Sequence, residues 1–375
     1  MNIDAVLVRL LVMGRSALTG HPRFKERTVR YRYLGRSGLR VATISLGTGN
    51  FGGGWGHGAS VTEAQAIYDQ YRSAGGNLVD SSSNYQFGDA EVYLADMIAS
   101  DRDEIVLATK YSTGTTMDSG LQMTGNGRKP MIQSLEASLR RLKTERVDLL
   151  WAHAPDNATP IDEIMRAFDD VVRSGKALYV GLSSFPAWRV ATGATLAAAR
   201  GWAPLAAIQV EYSLVERAAE RDLLPMAKAF GLGVLGYSPL GGGLLTGKYR
   251  RGESGRAQSS ISQFLHREED GNKSSTLDIV EAVAQEANAT AEAVALRWSM
   301  TKGVIPIVGP RTTEQLSTNL AAEQLHLTRA QIDRLDAVGA IELGYPHNMR
   351  TDLGALNAAT GGRADLLDAP TSPIF

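Results

Sequence analysis

The sequence predicts an α/β protein folded as a (β/α)8 barrel, with an N-terminal hairpin and a long excursion after the seventh barrel strand. Three observations predict it. From residue 30 onward, short apolar runs alternate with longer stretches of helical period. The strand–helix pair recurs eight times. The strands are of the buried type, which favours a closed parallel barrel over an open sheet.

Taken in order, Tyr31–Leu34 and Leu39–Val41 flank the turn Gly35-Arg36-Ser37-Gly38 and read as an opening hairpin. The barrel strands follow at Thr43–Leu46, Asn77–Asp80, Ile105–Lys110, Val147–His153, Ala177–Leu182, Ala207–Val210, Gly233–Tyr237 and Val304–Val308. Helical spacing marks Thr62–Ser73, Met131–Leu142, Ile161–Arg173 and Glu216–Phe230, with Pro225 expected to kink or restart the last of these. Pro239 to Ser275, rich in Gly, Ser and charge, reads as the excursion. A helix over Thr328–Val338, capped by Thr328, and an irregular tail to Phe375 complete the chain. Residues 30–345 are taken as one barrel domain, 1–29 as an extension and 346–375 as a tail; no linker or sequence repeat divides them.

Composition narrows the function. With 39 basic and 40 acidic residues the net charge is −1, so no global field favours nucleic acid or a membrane surface. The absence of cysteine excludes disulfides, thiolate metal sites and cysteine nucleophiles, and it fits a cytoplasmic location. The first 28 residues differ: Ala5 to Met13 is mostly apolar but interrupted by Arg9, and five basic residues face only Asp4 and Glu26. The stretch is too short to span a bilayer. Its two readings are a targeting peptide, against which the lack of a small-residue cleavage site argues, and an early start codon with Val29 as the true initiator.

Barrel active sites lie at the C-terminal ends of the strands. There the second strand ends in Asp80, with Tyr85 five residues on, the third in Lys110 and the fourth in His153. Each has a bland reading: a cap for Asp80, a rim aromatic for Tyr85, a solvated strand end for Lys110, a core histidine for His153. Their convergence on one barrel mouth points to chemistry instead. A phenol of ordinary pKa ~10 donates poorly at neutral pH, and an adjacent ammonium favours its ionised form. A buried Asp80 would keep Lys110 charged and oriented. His153 would hydrogen-bond and polarise a carbonyl oxygen. Such a set protonates a developing alkoxide, and since no side chain supplies hydride, a nicotinamide must.

These residues sit in motifs that resemble the aldo-keto reductase superfamily: Asp80 to Tyr85 followed by Gly88 and Glu91; Leu107-Ala108-Thr109-Lys110; Asp148-Leu149-Leu150-Trp151-Ala152-His153; and the Gly-rich run from Ser238 to Lys248. The resemblance covers about residues 30 to 345, and the second half looks most like the bacterial members and the potassium-channel β subunits. It implies Tyr85 as general acid, Lys110 and Asp80 tuning it, His153 orienting the carbonyl, and ordered binding with cofactor first. It also implies cofactor contacts. Ser183, Ser184 and Gln209 match the carboxamide-binding positions, with Ser184 where the family has Asn. Tyr237 matches the ring that stacks on the nicotinamide, and Ser238, Leu240, Gly242 and Lys248 match the pyrophosphate loop. Arg311, Gln315 and Asn319 match the adenosine end. Arg311 is suited to a 2′-phosphate, so NADPH is expected, with NADH as the alternative.

The G-x-G-x-x-G string Gly231-Leu232-Gly233-Val234-Leu235-Gly236 follows a helix and enters a strand, so it reads as a helix C-cap and a close-packed strand start. The six histidines show no metal spacing. Phe51 and Trp55, in the loop containing Gly52-Gly53-Gly54, are expected to wall the substrate site, with Tyr212 and Trp188 as further candidates. The excursion could close as a lid. The leading reading is an enzyme reducing a small aldehyde or ketone, a ketosugar among the options. A nicotinamide-binding regulatory or redox-sensing subunit and a non-redox barrel lyase are the alternatives. Oligomeric state stays open.

Overall fold

The computed structural model describes residues 28–253, 266–350 and 353–368. Residues 1–27, with the targeting and start-site readings, lie outside the described residues.

Two short strands, β1 (Tyr31–Tyr33) and β2 (Arg40–Ala42), pair antiparallel as the opening hairpin. The barrel strands are β3 (Ser45–Gly47), β4 (Leu78–Asp80), β5 (Val106–Tyr111), β6 (Val147–Ala152), β7 (Ala177–Ser183), β8 (Leu205–Glu211), β9 (Gly233–Tyr237) and β10 (Ile305–Val308). They are parallel and close in sequence order, with β10 pairing back onto β3. Every residue of β5 and β6 is buried, as expected of strands covered on one face by helices and on the other by the barrel interior. The hairpin turn seals the N-terminal end of the barrel. Gly35 has φ +57°, and a Cβ there would lie 2.5 Å from Gly231 O, so only glycine fits.

Helices α1 (Val61–Ser73), α2 (Asp89–Met97), α3 (Arg128–Arg141), α4 (Ile161–Arg173), α5 (Ala187–Arg200) and α6 (Leu223–Phe230) wrap the first part of the sheet. Next come α7 (Lys273–Glu286), α8 (Ala291–Thr301), α9 (Thr313–Leu320) and α10 (Arg329–Val338). Their ends follow local chemistry. Ser60 and Glu63 form a capping box at α1, and Thr328 and Gln331 form another at α10. Each such cap stabilises by about 1 kcal/mol. Along α4 the buried Ile164, Met165, Phe168 and Val171 recur at helical spacing and face the core.

The 216–230 helix is restarted, as Pro225 led one to expect: a 3-10 turn at Ala218–Glu220 precedes α6, which begins at Leu223 and not Glu216 and holds Pro225 in its first turn, where the missing N–H is not needed. Within the predicted excursion Gly241–Thr246 forms a 3-10 segment and α7 begins, while residues 254–265, on which part of the lid idea falls, lie outside the described residues. The tail contains a helix, α11 (Leu353–Thr360).

The fingerprint-like glycines take the bland role expected of them. Gly231 caps α6 in a left-handed conformation, its N–H meeting Ala227 O and Lys228 O, and its own carbonyl accepts from Arg36 N at 2.8 Å.

Candidate active site

Register builds the site. Asp80 on β4 pairs with Ala108 of β5, so Lys110, two residues on, points to the same face of the sheet. Lys110 in turn pairs with Trp151 of β6. The Lys110 Nζ donates to Asp80 Oδ2 at 2.5 Å, to Ser81 O at 2.7 Å and to Tyr85 Oη at 3.0 Å. An ammonium has three protons, and all three are used. The other carboxylate oxygen, Oδ1, accepts from Trp151 Nε1 at 3.1 Å and Gln209 Nε2 at 3.0 Å. The ion pair is closed to water, with the Lys110 and Asp80 side chains 0% and 1% exposed. Burial alone would lower the Lys110 pKa, but the charge of Asp80, then of Tyr85, outweighs it and holds the ammonium above its ordinary value.

His153 lies just past β6, its N–H bonded to Tyr111 O at 3.0 Å and 3.2 Å from Ser112 Oγ. Burial, followed by the nearby charge of Lys110, lowers its pKa from 6.5 to about 3, so the imidazole is neutral at physiological pH. Its loop is held by Asn126, whose Nδ2 donates to Ser112 Oγ and to Ala154 O, and by Asp156, which bonds Asn126 N. Although partial desolvation opposes it, the backbone amides and hydroxyl around Asp156 bring that carboxyl down to about 2.

Tyr85 stands between two rings: Trp55 meets it edge-on at 5.9 Å, and His153 at 6.0 Å. The residues after it, Gln86 and Phe87, both take left-handed backbone conformations. Gln86 repays this strain with its amide, which donates to Gly49 O at 2.8 Å and accepts from Trp55 N at 2.9 Å. It therefore ties the Trp55 loop to the tyrosine.

One cleft of about 1030 Å³ contains the centre and extends outward from it. Asp80, Tyr85, His153 and Trp55 line it, as do Ser183, Ser184, Gln209, Tyr237, Ser238, Leu240, Gly242, Lys248, Arg311, Gln315 and Asn319. The donor set and shape fit a nicotinamide dinucleotide. Gly242 and Gly243, both with positive φ, leave bare backbone on the cleft wall. Arg311 and the Thr312-capped start of α9 supply positive charge at the far end. Ser184, in the place of an expected Asn, has φ +61°, a conformation Asn favours, and its Oγ lies 3.4 Å from Tyr237 Oη.

Lys110 is buried beneath the cleft rather than lining it, and reaches it through Tyr85. Phe51 is a correction. It is fully buried in the core, because its bridge to Ala59 folds the loop so that Phe51 turns inward and Trp55 faces the cleft. Tyr212 is likewise core, bonded to Glu220 and stacked on Trp298 at 5.3 Å, and Trp188 is 68% exposed outside the cleft. Sequence reading missed Trp151 and Gln86. Trp151 stood inside a quoted motif, but the direction of its indole N–H depends on the register between strands.

Eight parallel strands, with ionisable side chains gathered at their C-terminal ends, define a barrel of the enzyme class. The family model described as "Aldo/keto reductase family" matches residues 43–340. The chain belongs to the aldo/keto reductase family, and it is an oxidoreductase enzyme. Members of this family generally use NADH or NADPH. Among its relatives is "Aldo-keto reductase ausK" of Aspergillus calidoustus, 31% identical over 92% of this chain and 90% of the relative. "Norsolorinic acid reductase" of Aspergillus flavus is 34% identical over 85% and 83%, and "Putative aryl-alcohol dehydrogenase AAD14" of Saccharomyces cerevisiae is 31% identical over 86% and 90%. These relatives are fungal, and they do not show the bacterial and channel-subunit likeness expected from the second half. Among the described residues no helix is long and apolar enough to cross a membrane.

Proposed function

We propose that this chain reduces an aldehyde or ketone to the alcohol with NADPH, in the cytoplasm, with Tyr85 as the general acid. The observation that carries this reading is the Tyr85 hydroxyl at 3.0 Å from a buried, Asp80-paired ammonium, in the same cleft as a neutral imidazole. A bound nicotinamide would supply the hydride. Tyr85 gives its phenolic proton to the carbonyl oxygen as the C–H bond forms, and the charge of Lys110 stabilises the phenolate left behind. Asp80 keeps Lys110 charged and aimed, with Trp151 and Gln209 holding the carboxylate. His153 donates a hydrogen bond that polarises the carbonyl, which a neutral imidazole can do without competing for the proton.

Ser183, Ser184 and Gln209 would hold the carboxamide and Tyr237 the nicotinamide face. Ser238, Leu240, Gly242 and Lys248 would meet the pyrophosphate, and Arg311, Gln315 and Asn319 the adenosine. Gln209 spends one amide N–H on Asp80, so its oxygen and its second N–H are left for the carboxamide. The choice of NADPH over NADH rests on Arg311. Relatives named for norsolorinic acid and aryl alcohols, together with Trp55 beside the acid, favour an aromatic carbonyl compound over a sugar. The test is a panel of aryl aldehydes, aryl ketones and ketosugars, followed by the absorbance of each reduced cofactor. Oxidation of NADPH by the aryl compounds is expected. Tight cofactor binding without turnover of any carbonyl would support a redox-sensing subunit instead.

A further inference from the structure

A neutral imidazole carries its one proton on either nitrogen, and only a proton on Nε2 of His153 is available to a ligand. The ring lines the cleft, and no protein group among the described residues bonds Nε2. Its Nδ1 faces two side-chain hydroxyls from neighbouring loops: Ser82 Oγ at 3.2 Å and Thr113 Oγ1 at 3.4 Å. The character of these neighbours decides the tautomer. A backbone carbonyl or carboxylate at Nδ1 can only accept, and would require the proton to sit there. Among the described residues neither kind of group bonds Nδ1. Hydroxyls can donate, and so can leave Nδ1 bare.

We propose that Ser82 and Thr113 are positioning residues that act through His153, one of them donating to Nδ1 at a time and so directing the imidazole proton to Nε2 at the cleft. Ser82 is fully buried, which fixes the distance from the ring. Its single proton is also drawn to Asn84 Oδ1 at 2.7 Å. The Thr113 hydroxyl bonds no other protein group among the described residues, so its proton is available to Nδ1 when that of Ser82 goes to Asn84. The pair also stops the ring rotating about its bond, since both hydroxyls would lose their partner. The catalytic use of this arrangement rests on the carbonyl-reduction reading above, but the tautomer itself does not.

The test uses full-length protein labelled with 15N-histidine, without cofactor, near pH 7.5, with the His153 signals identified by their loss in His153→Gln. The expected spectrum has a protonated Nε2 and an unprotonated, hydrogen-bonded Nδ1. In the double variant Ser82→Ala, Thr113→Val the Nδ1 signal should move toward that of an imidazole nitrogen accepting no bond. Changing Val to Ser at position 113 in that background should bring it back. With an active carbonyl substrate, kcat should fall by up to about 100-fold in the double variant, the size seen for loss of one donor to a developing oxyanion, while the Kd for NADPH stays put. A protonated Nδ1 in the wild-type protein would overturn the proposal, as would an unmoved Nδ1 signal in the double variant. If no carbonyl is turned over at all, the reduction reading fails while the spectrum still decides the tautomer.

Discussion

Asp80 and Lys110 carry opposite charges in a place without water, and each depends on the other. Attraction between buried charges roughly balances the cost of desolvating them, so the pair adds little net stability while intact. Removing one partner is different, because the other charge stays buried and uncompensated. Lys110→Met should therefore destabilise the protein by about 3–5 kcal/mol as well as remove the partner of Tyr85, which urea unfolding would measure. A Lys110→Met protein as stable as wild type would mean that Asp80 takes up a proton or a water in the folded state. The four ionisable residues were legible from sequence because strand ends can be read from apolar runs, and barrel strand ends face one mouth. The groups that hold them were not. Trp151 meets Asp80 only because β5 and β6 pair Lys110 with Trp151, and Ser82 meets His153 across 71 positions of sequence.

At the scale of elements, the loop after β3 shows the limit of sequence reading most clearly. Phe51 and Trp55 both looked like pocket walls, since an aromatic residue in a Gly-rich loop serves as well for core as for cleft. The Phe51–Ala59 bridge decides between them, and Gln86 fixes the outcome by holding Trp55 N and Gly49 O together. Gln86 is also in a left-handed conformation, which makes it costly to keep for packing alone. Gln86→Ala should loosen the Trp55 loop. We expect KM for an aromatic substrate to rise roughly tenfold, about 1.4 kcal/mol of binding, with the Kd for NADPH unchanged. Equal loss in both would place Gln86 in the general integrity of the barrel mouth.

The whole molecule separates stability from chemistry. The hairpin, with Gly35 against Gly231, closes one end of the barrel, and the residues proposed for catalysis occupy the other. A histidine whose folded pKa is lowered binds its proton more readily when unfolded. Its contribution is therefore fully present above about pH 6.5 and is lost as pH falls from there toward about 3. The ring borders the cleft, so solvent softens the effect, and a loss of roughly 2 kcal/mol by pH 4.5 is expected. Urea midpoints at pH 8 and pH 4.5 would show it, and His153→Gln should flatten the difference. The barrel order was legible because a buried parallel strand has a plain signature. The tail helix Leu353–Thr360 was not, since its spacing gives no strong apolar face.

The central claim is that Tyr85 delivers the proton. The most direct measurement is single-turnover reduction of an active carbonyl substrate by Tyr85→Phe with NADPH, alongside cofactor titration by intrinsic fluorescence. The account predicts wild-type NADPH affinity and a loss of reduction of about 100-fold or more, the span expected when a positioned general acid is removed. Turnover at the wild-type rate in Tyr85→Phe would contradict it.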